Sequence, residues 1–350
     1  MTLTSETPLI EARHVTKIFG GGLFDKTRTL AVDEISMVIP GDPPSITAVV
    51  GESGSGKTTL ARLLLGRIAP SEGVVLYRGS DLEKLSRKEK KTFLRDVQVI
   101  FQDPDGVYNP FYKVDHVLTT PISKFKLASS KEERRELMES MLREVGMRPE
   151  EVLGRHPHQL SGGQRQRIMV ARALLLKPAL ILADEPVSMI DASLRATVLK
   201  SLRQLNEDFG ISLLYITHDL ATAYQISENI MVMYLGSVTE VGAVEDVIGN
   251  PLHPYTQLLV SSIPRAIAER TWGTGETAPA AAKHEGDVVG CKFANRCPRV
   301  MPKCSEEVPP LYHTDPHRAA ACFLYEDAPS LGSDQMMEVF APAASVQGLN

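Results

Sequence analysis

The residues with most chemical content are Gly51-Glu52-Ser53-Gly54-Ser55-Gly56-Lys57-Thr58-Thr59, a glycine-rich run closed by a lysine and two hydroxyls. Glycines at this spacing let successive backbone N–H groups turn toward one anion, and a helix starting here adds the positive end of its dipole. Lys57 can reach the β and γ phosphates of a nucleotide and Thr58 can hold Mg2+; the plain alternative is a Gly/Ser surface turn. A second set is Asp184-Glu185, directly after the apolar run Leu180–Ala183. Asp184 can help hold a magnesium water shell, and Glu185 can orient and partly deprotonate an attacking water. Alone, such a pair is commonly a solvated strand end; its position downstream of a phosphate loop favours the metal reading. Ser161-Gly162-Gly163 offers another hydroxyl and two more N–H groups at a helix start, a second anion site. His218 is either a satisfied surface or core histidine or a hydrogen-bonding sensor of the terminal phosphate, and its place at the end of a strand supports the second. Glu185 is the expected base.

These groups need a frame. Ile46–Val50 is a short apolar, β-branched run that predicts a buried strand, and Thr58–Ile68 carries helical apolar spacing, so the phosphate loop lies between strand and helix. Further on, Lys131–Val145 predicts an amphipathic helix, Gln164–Leu176 a helix stopped by Pro178, and Leu194–Leu205 another. Leu180–Ala183 and Leu213–Ile216 read as buried strands, and residues 231–240 as a hairpin. The alternation of strand and helix predicts an α/β fold with a mainly parallel sheet covered by helices. Ile10–Ile39 is expected to form short strands around the glycines Gly20, Gly21 and Gly22.

The composition bounds the possibilities. In 350 residues, 43% are hydrophobic and 23% charged, ordinary globular usage with room for one large core or a core plus a smaller unit. A formal net charge of -5 gives no bulk attraction to nucleic acid or anionic lipid. No run of 18 or more apolar residues occurs, so a membrane role would act through a protein partner. All four cysteines lie after residue 290, which suggests a local site rather than a disulfide scaffold. Residues 265–289 read as a linker, and the chain from Glu326 as a mobile tail.

Leu160-Ser161-Gly162-Gly163-Gln164-Arg165-Gln166-Arg167 resembles the signature motif of ATP-binding-cassette (ABC) proteins. The resemblance implies a P-loop NTPase fold with an ABC-type nucleotide-binding domain at 8–249, a helical subdomain near 105–175, and a small cysteine-containing C-terminal extension at 250–325 followed by a tail at 326–350. It gives Gln102 the role of the Q-loop, which contacts Mg2+ or water and couples to the membrane domain. Asp191 becomes the D-loop residue, His218 the switch histidine and Phe19 the aromatic that stacks on adenine. The signature residues would close on the ATP of a partner subunit in a head-to-tail dimer. Ser188-Met189-Ile190-Asp191 departs from the usual Ser-Ala-Leu-Asp but keeps its apolar character. Gly41-Asp42-Pro43-Pro44-Ser45 looks longer than the family's turn.

Two further stretches, Asp103–Pro110 and Pro251–Leu259, resemble the ATPase subunits of peptide and nickel importers. The function implied is ATP hydrolysis that energises peptide import, with oligosaccharides, nickel or another solute as alternative cargo. The implied partners are two transmembrane permease subunits, a second and related ATPase subunit, and an extracellular substrate-binding protein, without nucleic acid; the location is the cytoplasmic side of the membrane. Cys291, Cys297, Cys304 and Cys322 resemble a C-terminal region in which some importer ATPases hold a [4Fe-4S] cluster. Four thiolates suit iron-sulfur or zinc, although the spacing is not a Cys-x2-Cys finger; free or paired structural thiols are the other reading. A DNA-repair cassette is disfavoured because no long insertion interrupts residues 51–218. A noncatalytic nucleotide-binding module is disfavoured because Glu185 and His218 are both present.

Overall fold

The computed structural model describes residues 7–21, 28–101, 108–188, 192–263, 289–332 and 335–340. Among the described residues, twelve strands fall into two sheets. They are β1 (Ile10–Gly20), β2 (Arg28–Ile39), β3 (Ile46–Val50), β4 (Glu72–Tyr77), β5 (Ser80–Asp81), β6 (Val97–Ile100), β7 (Leu180–Asp184), β8 (Ser212–Thr217), β9 (Asn229–Tyr234), β10 (Ser237–Ala243), β11 (Tyr312–Asp315) and β12 (Arg318–Ala320).

The larger sheet runs β11-β12-β10-β9-β3-β8-β7-β6. From β9 through β3, β8 and β7 to β6 every neighbouring pair is parallel. These strands need no polar face because both sides are covered: every residue of β3, β7, β8 and β9 is buried. The two-residue period then divides the molecule. Ile46, Ala48 and Val50 of β3 join a core that holds the helices Asp115–Phe125, Lys131–Glu144 and Gly162–Leu174, whereas Val49 points into a second core. That second core is closed by the helix Lys57–Leu64 and by the antiparallel sheet β2-β1-β4-β5.

The segment expected to be short strands is two long ones, β1 and β2, whose register shifts let them curl over the core. The helix after the phosphate loop is shorter than its apolar spacing predicts. It stops at Leu64, and Gly66 follows in the left-handed region at φ 60°.

The C-terminal part differs most from expectation. Strand β12 is added antiparallel to β10, and β11 antiparallel to β12, so the extension continues the main sheet. The joint is Arg318, whose guanidinium meets the fully buried Glu240 carboxylate, with Arg318 Nε to Glu240 Oε1 at 3.1 Å. Glu240 also accepts the N–H groups of Leu252 and His253, so no lone charge is left inside. Of the tail expected to be mobile, residues 327–332 and 335–340 hold defined contacts, and 341–350 lie outside the described residues. Leu331 N–H donates to Leu311 O, and the short helix Met336–Val339 buries Met336, Val339 and Phe340 against the core beneath β2. The linker expected at 265–289 lies almost wholly outside the described residues. Among the described residues no helix is long and apolar enough to cross a membrane.

Candidate functional site

Three neighbouring parallel strands, β3, β8 and β7, end at one edge of the sheet, and the chemistry-bearing residues leave from those ends. Gly51 follows β3, His218 follows β8, and Asp184 and Glu185 close β7. Residues 51–59, Glu185 and His218 line a cleft of about 660 Å³, with Thr29, Leu30 and Ala31 of β2 on one wall and Leu259 on another.

The phosphate loop owes its shape to two glycines packed against backbone. A Cβ on Gly51, at φ 154°, would lie 2.1 Å from Met233 O; one on Gly56, at φ 99°, would lie 2.3 Å from Ala31 O. The helix that follows has no side-chain cap and no acid in its first turn, so its leading N–H groups remain available to an anion. Lys57 is buried and folds back along the loop, donating to Gly51 O (2.7 Å), Glu52 O (2.8 Å) and Ser55 Oγ (3.2 Å). Burial pulls its pKa down, while Glu185, Asp184 and Glu52 act in the opposite sense.

Asp184 is nearly buried, and that burial raises its carboxyl pKa; the Thr58 hydroxyl partly offsets the shift. Its Oδ1 is buried with no hydrogen-bond partner. An orphaned carboxylate oxygen beside a threonine hydroxyl and a phosphate loop is a donor set that fits Mg2+. Glu185 lies in the left-handed region at φ 47°, held by its N–H to Ile216 O at 2.8 Å, and the Ser188 hydroxyl donates to its carbonyl. The resulting bend aims its carboxylate at His218, with Oε1 3.0 Å from Nδ1. Strain of this kind on a β-strand end is typical of a functional position.

The remaining expected residues fall into three groups. Ser161 caps the helix Gly162–Leu174, with its Oγ accepting from Gln164 N–H and its own N–H donating to Gln164 Oε1. That helix start, with Gly162 and Gly163, is absent from the lining of the cleft in its own chain. Phe19 is 39% exposed, pairs with Thr29 across β1 and β2, and carries the Lys17 ammonium 5.4 Å from its ring centre. It stands beside a lining residue rather than among the lining residues. Gln102 and Asp191 lie outside the described residues.

Sequence reasoning missed Glu52, Tyr255 and Leu259. Glu52 occupies a variable position of the loop motif, and no spacing signal connects residues 255 and 259 to a loop two hundred positions earlier.

The four cysteines form a second, smaller cluster. Cys304 and Cys322 are buried, Cys291 and Cys297 partly so, and all four are free thiols. Cys291 N–H donates to Cys304 O at 2.8 Å. Burial pushes the thiols of Cys291 and Cys297 up and that of Cys322 up to about 11, each thiol raised further by its neighbours. Among the described residues no three His, Cys, Asp or Glu are placed to hold a metal ion. The expectation of a [4Fe-4S] or zinc site at Cys291, Cys297, Cys304 and Cys322 is therefore not supported. Spacing put four soft ligands in one segment; in the fold Cys304 packs with Tyr312 and Phe323, and Cys291 lies against them.

Comparison with known proteins agrees with this geometry. Residues 34–188 match the ABC transporter family, and residues 239–304 match the oligopeptide/dipeptide transporter C-terminal region. The oligopeptide transport ATP-binding protein AppF of Bacillus subtilis is 37% identical over 335 residues, covering 93% of this chain and 100% of that protein. The oligopeptide transport ATP-binding protein OppF of Escherichia coli is 40% identical over 270 residues, 75% of this chain and 79% of that protein. Among solved structures, a dimeric ATP-binding cassette in a post-hydrolysis state with ADP and Pi superimposes with a TM-score of 0.59 at 28% identity, covering 67% of this chain and 98% of that one.

Proposed function

Because the chain belongs to the ATP-binding proteins of ABC transporters, in their oligopeptide and dipeptide branch, we propose that it hydrolyses ATP to energise peptide import, working at the cytoplasmic face of a membrane through permease subunits. The observation that carries the reading is the meeting, at the ends of three adjacent strands, of a phosphate loop, a cation-ready aspartate and a glutamate held by a histidine.

In this reading the N–H groups of residues 54–59 and the Lys57 ammonium bind the β and γ phosphates of the substrate. Thr58 and Asp184 hold Mg2+, which when bound would neutralise phosphate charge. Glu185 orients the attacking water and accepts its proton; His218, on the same carboxylate, keeps Glu185 directed into the cleft and senses the terminal phosphate. Gln102 and Asp191 take the coupling and interface roles implied by their motifs, and Phe19 offers a face for adenine beside Thr29.

The signature start at Ser161, Gly162, Gly163 and Gln164 is absent from the lining of its own cleft, which supports its use on the ATP of a second, related ATPase subunit. Two bound nucleotides then hold the subunits together and hydrolysis separates them. Two permease subunits and an external binding protein complete the transporter. We assign 8–249 to the ATPase, with its helical part near 105–175, and 250–325 to the C-terminal region, although the sheet runs through both.

The test is ATP hydrolysis by the full chain and by Glu185→Gln. Wild type should turn over, and the variant should lose at least about 10²-fold while still binding ATP. Equal and negligible turnover in both would instead indicate a nucleotide-binding regulatory module.

A further inference from the structure

The phosphate loop is gripped from outside its own motif. Glu52, its second residue, is held on every side: its N–H donates to Tyr255 Oη at 2.9 Å, its carbonyl accepts Lys57 Nζ at 2.8 Å and Ser55 N–H at 3.1 Å, and its carboxylate meets Arg296. The last contact is a two-pronged fork, Arg296 Nη1 to Oε2 and Nη2 to Oε1, each 3.0 Å.

Arg296 is itself fixed in place. Its side chain is only 9% exposed, its guanidinium lies 5.5 Å from the Phe293 ring centre and 5.7 Å from that of Tyr234, and Nη1 reaches Tyr234 Oη at 3.3 Å. Tyr234, Tyr255 and Phe293 pack on one another with ring centres 4.5 to 5.5 Å apart. Nearby, Lys292 donates to Leu235 O and pairs with Asp33, tying the same segment to the turn behind the loop.

We propose that Arg296 and Tyr255 are positioning residues for ATP binding, which set the phosphate loop through the side chain and the N–H of Glu52. Glycine-rich loops have wide conformational freedom, and ordering one on binding weakens affinity; a loop already pinned at its second residue binds with less to order. The same pin fixes the carbonyl that anchors Lys57, so the lysine is aimed before the substrate arrives. The C-terminal region is on this view part of the ATP site of its own chain, and the arginine that does the work sits one position before Cys297.

The proposal rests on the ATPase reading, and one experiment separates the two. Equilibrium affinity for Mg-ATP and steady-state hydrolysis are measured on the full chain, on Arg296→Ala, Arg296→Lys, Glu52→Gln and Tyr255→Phe. Positioning predicts an ATP dissociation constant and KM raised about five- to tenfold in Arg296→Ala, about threefold in Glu52→Gln and Tyr255→Phe, and intermediate in Arg296→Lys, with kcat at saturating ATP within about twofold of wild type. A purely structural role predicts a lower melting temperature with unchanged dissociation constant and KM, and that result overturns the proposal. If Arg296→Ala does not fold, Glu52→Gln, which preserves shape and the arginine, decides by the same criterion. Wild type that fails to bind Mg-ATP would overturn both the ATPase reading and the positioning role.

Discussion

The cleft and the cysteine pocket are built in opposite ways. The cleft takes its groups from the ends of parallel strands, leaves them polar and partly unpaired, and accepts strain: Asp184 keeps an orphaned oxygen and Glu185 a left-handed backbone. The cysteine pocket takes four soft side chains spread over residues 291–322, buries two of them and half-buries the other two, and leaves all four as free thiols. An unpaired carboxylate and backbone strain meet on one sheet edge at the cleft; the cysteine segment carries neither feature at its thiols.

That contrast can be broken. Arg318→Ala should have the largest effect on stability, about 3–5 kcal/mol in denaturant unfolding, because it leaves the buried Glu240 carboxylate with two backbone N–H groups and no counter-charge. A loss below about 1 kcal/mol would mean that β11 and β12 contribute little to the sheet.

Asp184→Asn should act in two directions. Hydrolysis should fall about 10²-fold or more, as the cation loses its carboxylate. Stability without nucleotide should rise at neutral pH. The folded carboxyl has its pKa raised by burial, so the native state binds a proton more readily than the unfolded chain, and stability declines as pH climbs between the unfolded and folded values. The asparagine removes that decline, which pH-dependent melting would show.

His253 provides the smallest and most specific test. It is buried, accepts Tyr255 N–H on Nδ1, and has its pKa lowered by burial from 6.5 to about 4. The unfolded chain therefore binds the extra proton first. Stability is complete above pH 6.5 and declines as pH falls toward 4, by up to about 3 kcal/mol. His253→Asn, which can still cap the helix Pro254–Ser261, should flatten that limb of the curve.

Local signals were read well. The strand Ile46–Val50 forms as expected, Lys131–Val145 appears as Lys131–Glu144, and the hairpin forms around a turn at Leu235 and Gly236. Boundaries moved where propensity met packing, as in the helix expected over Leu194–Leu205 that extends over Ala192–Phe209. For the cysteine segment, spacing alone cannot say whether four thiols will hold a metal.

By itself, the sequence determined the phosphate loop, the strand that carries Asp184 and Glu185, and the alternation of strands and helices, since each depends on residues within about ten positions of one another. Only the tertiary structure decided that the C-terminal region joins the main sheet and that Arg296 and Tyr255 hold Glu52. Those contacts span 244 and 203 positions and follow from how the sheet is closed, which no local pattern encodes.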